Sequence, residues 1–106
     1  MKHDEEALTR QREEAWVGDA VLALYVRERI LREEGFLDGE MFTRFTSNDF
    51  LRAAGNPTRV EAEIGRVYKR DGLAAAYALI EKHLLPLFEA QEKTRRRQLG
   101  GRRPKG

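Results

Sequence analysis

Residues 15 to 26, Ala15-Trp16-Val17-Gly18-Asp19-Ala20-Val21-Leu22-Ala23-Leu24-Tyr25-Val26, are apolar around the whole circumference of a helix except at Asp19. A helix of that kind belongs in a core or between two subunits, where a carboxylate is costly unless something compensates it. Two local readings compete. Asp19 can be an N-cap that starts a helix, accepting from the amides of Val21 or Leu22. Against this, Leu22 stands where a capping box has Glu or Gln, and helix-forming residues already run from Leu8 to Glu14. In a continuous helix Gly18 costs about 1 kcal/mol relative to Ala, which predicts close passage of another backbone there. Asp19 is then expected to face a crowded interior and to need a metal ion or a basic partner.

The flanking residues extend the helix to about Leu8–Glu34, either as one element or as two meeting near Gly18. Gly35 is its expected stop. Asp38-Gly39 reads as a turn that caps a short helix holding Met41, Phe42 and Phe45. Thr46 and Asp49 imitate a capping box before Phe50, Leu51 and Ala54, and Gly55-Asn56-Pro57 closes that segment. Thr58 is expected to open a further helix with Val60, Ile64, Val67 and Tyr68 on one side. Leu73, Ala76, Tyr77, Ile80, Leu84 and Phe88 stripe a last helix that Pro86 must kink or break.

The 106 residues suffice for one domain, and the near absence of alternating β-branched runs makes the expected class all-α. With no cysteine, disulfides, thiolate catalysis and Cys-based zinc sites are excluded. The apolar run from Ala20 to Val26 falls far short of the ~20 residues of a membrane span, and the first six residues do not read as a signal peptide. A cytoplasmic protein with no membrane partner is therefore expected.

The net charge of +2 hides an asymmetry: Lys93 to Gly106 holds seven Lys or Arg and no acid, so the other 92 residues carry a net −5. The composition predicts a helical domain over 1–92 and a basic, disordered tail over 93–106.

Few residues offer chemistry. His3 and His83 are isolated, and Ser47, the one serine, has no histidine nearby in sequence. Trp16 and Phe36 read as core or interface residues. Glu61 has a good structural reading, because Thr58-x-x-Glu61 is a capping box in which the glutamate reaches back to the Thr58 amide.

Two stretches taken together carry more. Gly18-Asp19-Ala20-Val21-Leu22 followed by Val60-Glu61-Ala62-Glu63-Ile64-Gly65-Arg66-Val67-Tyr68 resembles the two acidic motifs of the ribonuclease III catalytic domain. The likeness continues through Asp71-Gly72-Leu73-Ala74-Ala75-Ala76 and Leu84-Leu85-Pro86-Leu87, and covers roughly Arg12 to Glu89. It implies a homodimeric, ribonuclease III-like endonuclease that cuts double-stranded or structured RNA with Mg²⁺, or Mn²⁺ in its place. Asp19 and Glu61 match the family's acids and are thereby implied as catalytic metal ligands, a task suited to hard oxygen donors.

Two other family acids have no counterpart, since Ala15 and Thr58 stand in their places. Glu14 points about 140° away from Asp19 and Glu63 nearly opposite to Glu61, so neither is a simple replacement. Glu40 and Asp49 are conceivable stand-ins that the sequence does not place. The short chain, without a double-stranded-RNA-binding domain, is similar to the Mini-ribonuclease III branch, although the segment between the two motifs is shorter here. RNA phosphates are then expected to meet Arg95, Arg96, Arg97, Arg102 and Arg103 of the tail. The alternative is a catalytically silent dimer of the same fold that binds RNA or a ribonucleoprotein surface.

Overall fold

The computed structural model describes residues 2–101. It is all-helical over that range, with α1 at Lys2–Glu34, α2 at Gly39–Thr46, α3 at Asn48–Leu51, α4 at Pro57–Asp71, α5 at Leu73–His83 and α6 at Leu85–Gly101. The helix through Gly18 is continuous and begins six residues earlier than Leu8, so Asp19 is not an N-cap. Gly35 ends it as expected, with φ of 81° and its amide donating to the Leu31 carbonyl at 3.2 Å.

Gly18 tolerates the helix interior because α4 crosses there. A Cβ on Gly18 would collide with the Glu61 carbonyl oxygen and lie 2.9 Å from the Gly65 nitrogen. A Cβ on Gly65 would collide in turn with the Glu14 carbonyl oxygen and lie 3.0 Å from the Gly18 nitrogen. Gly18 thus sits against Glu61 and Gly65, and Gly65 against Glu14 and Gly18, which makes the two helices antiparallel and brings their backbones into contact. The Arg66–Glu14 ion pair at 3.3 Å continues the same register.

The core lies on the side of α1 that carries Val21, Leu22, Tyr25, Val26 and Ile30, joined by Phe45, Phe50, Leu51, Ile64, Ala76, Ile80, Leu84 and Phe88. Phe45 stacks on Phe88 with ring centroids 4.0 Å apart, and Phe50 meets both rings edge-on. Such pairs contribute about 0.5–1.5 kcal/mol each beyond their area. These rings tie the short α2 and α3 to α6.

The caps differ in detail from those expected. Asp38 does cap α2, accepting from the Met41 amide at 3.0 Å. Ser47, rather than Thr46, caps α3, and Thr46 instead donates to the Phe42 carbonyl within its own helix. Asn56 caps α4 by accepting from the Arg59 amide, with Pro57 in the first turn, so Thr58 does not open that helix. Proline there forgoes an amide that has no intrahelical partner, and the cap lies two residues upstream of Thr58. Pro86 separates α5 from α6 as its missing amide requires.

The tail expected to be disordered from Lys93 is helical as far as Gly101. The reason is Glu92, buried to 7% exposure, whose two carboxylate oxygens accept from Arg44 at 2.8 and 2.9 Å. This bidentate pair fastens α6 to α2 and lets the helix propagate one further turn and more. The rest of the expected tail, including Arg102 and Arg103, lies outside the described residues. No helix among the described residues is long and apolar enough to cross a membrane.

Gly18→Ala is expected to destabilise the fold by about 3 kcal/mol or more, because the new methyl meets backbone that cannot rotate away. Gly39→Ala, with open space around it and no positive φ, should be neutral or slightly stabilising. Urea denaturation of the two variants beside the parent measures both.

Candidate metal-binding and nuclease site

Asp19 follows Gly18 on α1, and Glu61 is the residue whose carbonyl lies under Gly18. The crossing that admits only glycine therefore places two carboxylates side by side, from helices 42 positions apart in the chain. With Asn56 as the cap, Glu61 lies beyond a capping-box position and its side chain is not drawn back to the Thr58 amide. It turns to Asp19 instead.

The Glu61 carboxyl is pushed up to about 7, first by partial burial, then by a hydrogen bond with Asp19 and by repulsion from the Asp19 charge. Asp19 itself is exposed on the flank of α1, which corrects the expectation of a crowded interior. The position 100° round from Gly18 lies at the edge of the α1–α4 contact, so the carboxylate reaches solvent while its neighbour Glu61 is half-buried. The compensation for Asp19 is thus exposure to solvent on one side and the hydrogen bond with Glu61 on the other. No basic partner was needed.

Two carboxylates held by backbone-to-backbone packing form a rigid, open, hard-oxygen donor set. Mg²⁺ dehydrates reluctantly, keeps several waters and is typically held by one or two carboxylates together with substrate phosphates. The residues present fit that mode. They do not make an all-protein cage: among the described residues no group of three or more His, Asp or Glu side chains is placed to hold a metal ion. Ala15 is buried and Thr58 exposed. Asp49 pairs with Arg52 at 2.6 Å on the surface, and Glu40 is exposed on α2, so neither stands in for a missing acid.

The arginines assigned to RNA lie elsewhere. Arg95 and Arg96 line a cleft with Glu33 and Glu34 near the end of α1, about 21 Å along the helix axis from Asp19. Arg96 also donates to the Glu92 carbonyl at 3.3 Å, and Arg97 is exposed. Sequence reading passed over Arg12, which is exposed on α1 seven residues before Asp19 and therefore on the same face, about 10 Å away. The i, i+7 spacing was the available signal. Trp16, expected in a core or interface, is 81% exposed.

A scan of protein-family models finds no match to this chain, and searches of curated proteins and of solved structures find none either.

The Asp19–Glu61 pair predicts a pH dependence. The Glu61 carboxyl of the folded chain lies above its ordinary value of 4.5, so the folded state holds the proton more tightly than the unfolded state. The stability from this group is fully present below pH 4.5, falls as pH rises towards 7 and is lost above it. Asp19→Asn removes the charge repulsion and leaves only burial and a neutral hydrogen bond, so stability between about pH 5 and 8 should decline less steeply than in the parent. Denaturation midpoints of the two proteins across that range measure the difference.

Proposed function

We propose that the protein is a Mg²⁺-dependent endoribonuclease, ribonuclease III-like and homodimeric, that hydrolyses phosphodiester bonds in double-stranded or structured RNA. The observation that carries this reading is the meeting of Asp19 and Glu61. They belong to the two motifs that resemble one nuclease family, and the fold brings these two acids together from separate helices. Mn²⁺ suits the same oxygen donors.

In this reading Asp19 and Glu61 would hold the cation, and the glycine crossing fixes the placement of the two carboxylates. When bound, the cation polarises the phosphate and lowers the pKa of an attacking water. The exposure of Asp19 leaves the remaining coordination positions to water and to the RNA phosphate. Arg12 supplies a cation close to the pair. Arg95, Arg96 and Arg97 serve phosphates farther along a duplex, where they offset the net −5 of the first 92 residues.

A second reading is favoured by the short donor set, with Ala15 and Thr58 where the resemblance calls for acids. In it the chain is a catalytically silent dimer that binds RNA or a ribonucleoprotein surface.

Incubating the purified protein with long duplex RNA separates the two. The nuclease reading expects cleavage that requires Mg²⁺ and falls at least about a hundredfold in Asp19→Asn and in Glu61→Gln, with RNA affinity in Ca²⁺ little changed. RNA binding without cleavage in either Mg²⁺ or Mn²⁺ would select the silent reading. Arg96→Ala combined with Arg97→Ala should weaken binding alike for all sequences and flatten its salt dependence by about two contacts.

A further inference from the structure

Between the link from α3 to α4, the first turns of α4 and the end of α5, the core leaves a cavity of about 210 Å³. Its floor is Ile64, Ile80 and Leu84, all buried, and Leu87 in the first turn of α6 forms one side. Ala54 reaches it with no more than a methyl group, so the space stays open. On α4, Glu63 points nearly opposite to Glu61, which puts the cavity on the far side of that helix from the Asp19–Glu61 pair.

Among the described residues two ionisable side chains line this apolar hollow, Glu63 from α4 and His83 from the last turn of α5. Both are exposed at the rim, and neither takes part in a hydrogen bond or an ion pair among the described residues. The neighbouring arginines leave Glu63 unneutralised. Arg66, three residues on, is paired with Glu14 at 3.3 Å. Arg59, one turn earlier, stands in the less favourable i, i+4 order and forms no ion pair with Glu63.

We propose that the cavity binds a small primary amine with an apolar body, of the arylalkylamine class. An apolar cavity of about 150 Å³ already takes up benzene, so this one has room for a ring and a short alkyl arm. The ring lies on Ile64, Ile80 and Leu84, and the arm carries the ammonium out to the rim. A carboxylate only accepts hydrogen bonds and an ammonium only donates them, so Glu63 takes one N–H and the unprotonated nitrogen of a neutral His83 takes a second. Charge excludes the opposite sign of ligand, because an anion would meet Glu63 and the net −5 of the first 92 residues. A quaternary ammonium is disfavoured for another reason: no Phe, Tyr or Trp lines the cavity to offer it an aromatic face. The proposal stands apart from the nuclease reading, since none of these residues belongs to the Asp19–Glu61 site.

The probe is phenethylamine, with phenethyl alcohol and phenylacetate as its neutral and anionic counterparts, titrated into the full chain and followed by amide and methyl NMR. Phenethylamine should bind with a dissociation constant on the order of 0.1–1 mM, as suits a ligand of about nine heavy atoms. Its shifts should centre on Ile64, Leu79, Ile80 and Leu84. The alcohol should bind at least about fivefold more weakly, and phenylacetate more weakly still. Glu63→Gln changes an exposed side chain and leaves the core untouched; it should weaken the amine about fivefold and leave the alcohol as in the parent.

Absence of saturable shifts up to about 10 mM amine overturns the proposal, as do shifts centred on other acids such as Asp19 and Glu61. An amine that binds no tighter than the alcohol, or as tightly to Glu63→Gln as to the parent, marks an unselective apolar hollow and overturns it too. RNA cleavage enters none of these outcomes, so the nuclease reading stands or falls separately.

Discussion

Everything in this fold hangs on the contact between the backbones of α1 and α4 at Gly18 and Gly65. Each glycine occupies space that any Cβ would share with a carbonyl oxygen of the other helix. Closest approach of two helices is usually set by side chains at about 8–10 Å between axes, and removing both side chains at the crossing shortens it. The loss of helix propensity at Gly18 is offset by dispersion along the contact and by the core that the two helices then enclose. The Asp19–Glu61 pair is a by-product of the same geometry, since Asp19 is the next residue on one helix and Glu61 the contacted residue on the other.

Rigidity at that crossing decides what the pair can do. Carboxylates on mobile loops relax apart when both are charged. Here the helices carrying them are locked at the glycine crossing, and the repulsion holds the Glu61 carboxyl above its ordinary range. The open side of Asp19 and the half-burial of Glu61 give the site one face towards solvent and one towards protein. That asymmetry suits a cation shared between protein and a phosphate-bearing substrate better than a fully enclosed structural ion.

The helical class, the stop at Gly35, the Asp38 cap, the break at Pro86 and the need for a close neighbour at Gly18 were all legible in the sequence. Each is a local or pairwise steric fact. The environment of Asp19 was misread because an apolar surround along a helix does not say which faces are covered; α4 covers the Gly18 side and leaves the Trp16 side open. The cap of α4 was misplaced for a related reason, as Asn56-Pro57 and Thr58 are both adequate starts and only the first turn's register separates them. The helical end of α6 was invisible locally, because it depends on Arg44, forty-eight residues before Glu92. The juxtaposition of Asp19 with Glu61 entered as an implication of family resemblance. The site's separation from Arg95, Arg96 and Arg97 needed the path of the helices.

The most direct measurement is carbon-13 NMR of the Asp and Glu side-chain carboxyls during addition of Mn²⁺ at well below one equivalent. If the crossing builds one cation site, the Asp19 and Glu61 resonances broaden together and first, Mg²⁺ in excess restores them, and Asp19→Asn abolishes the effect at Glu61. Broadening that begins at other acids, or that reaches Asp19 while sparing Glu61, would contradict a shared site at the crossing.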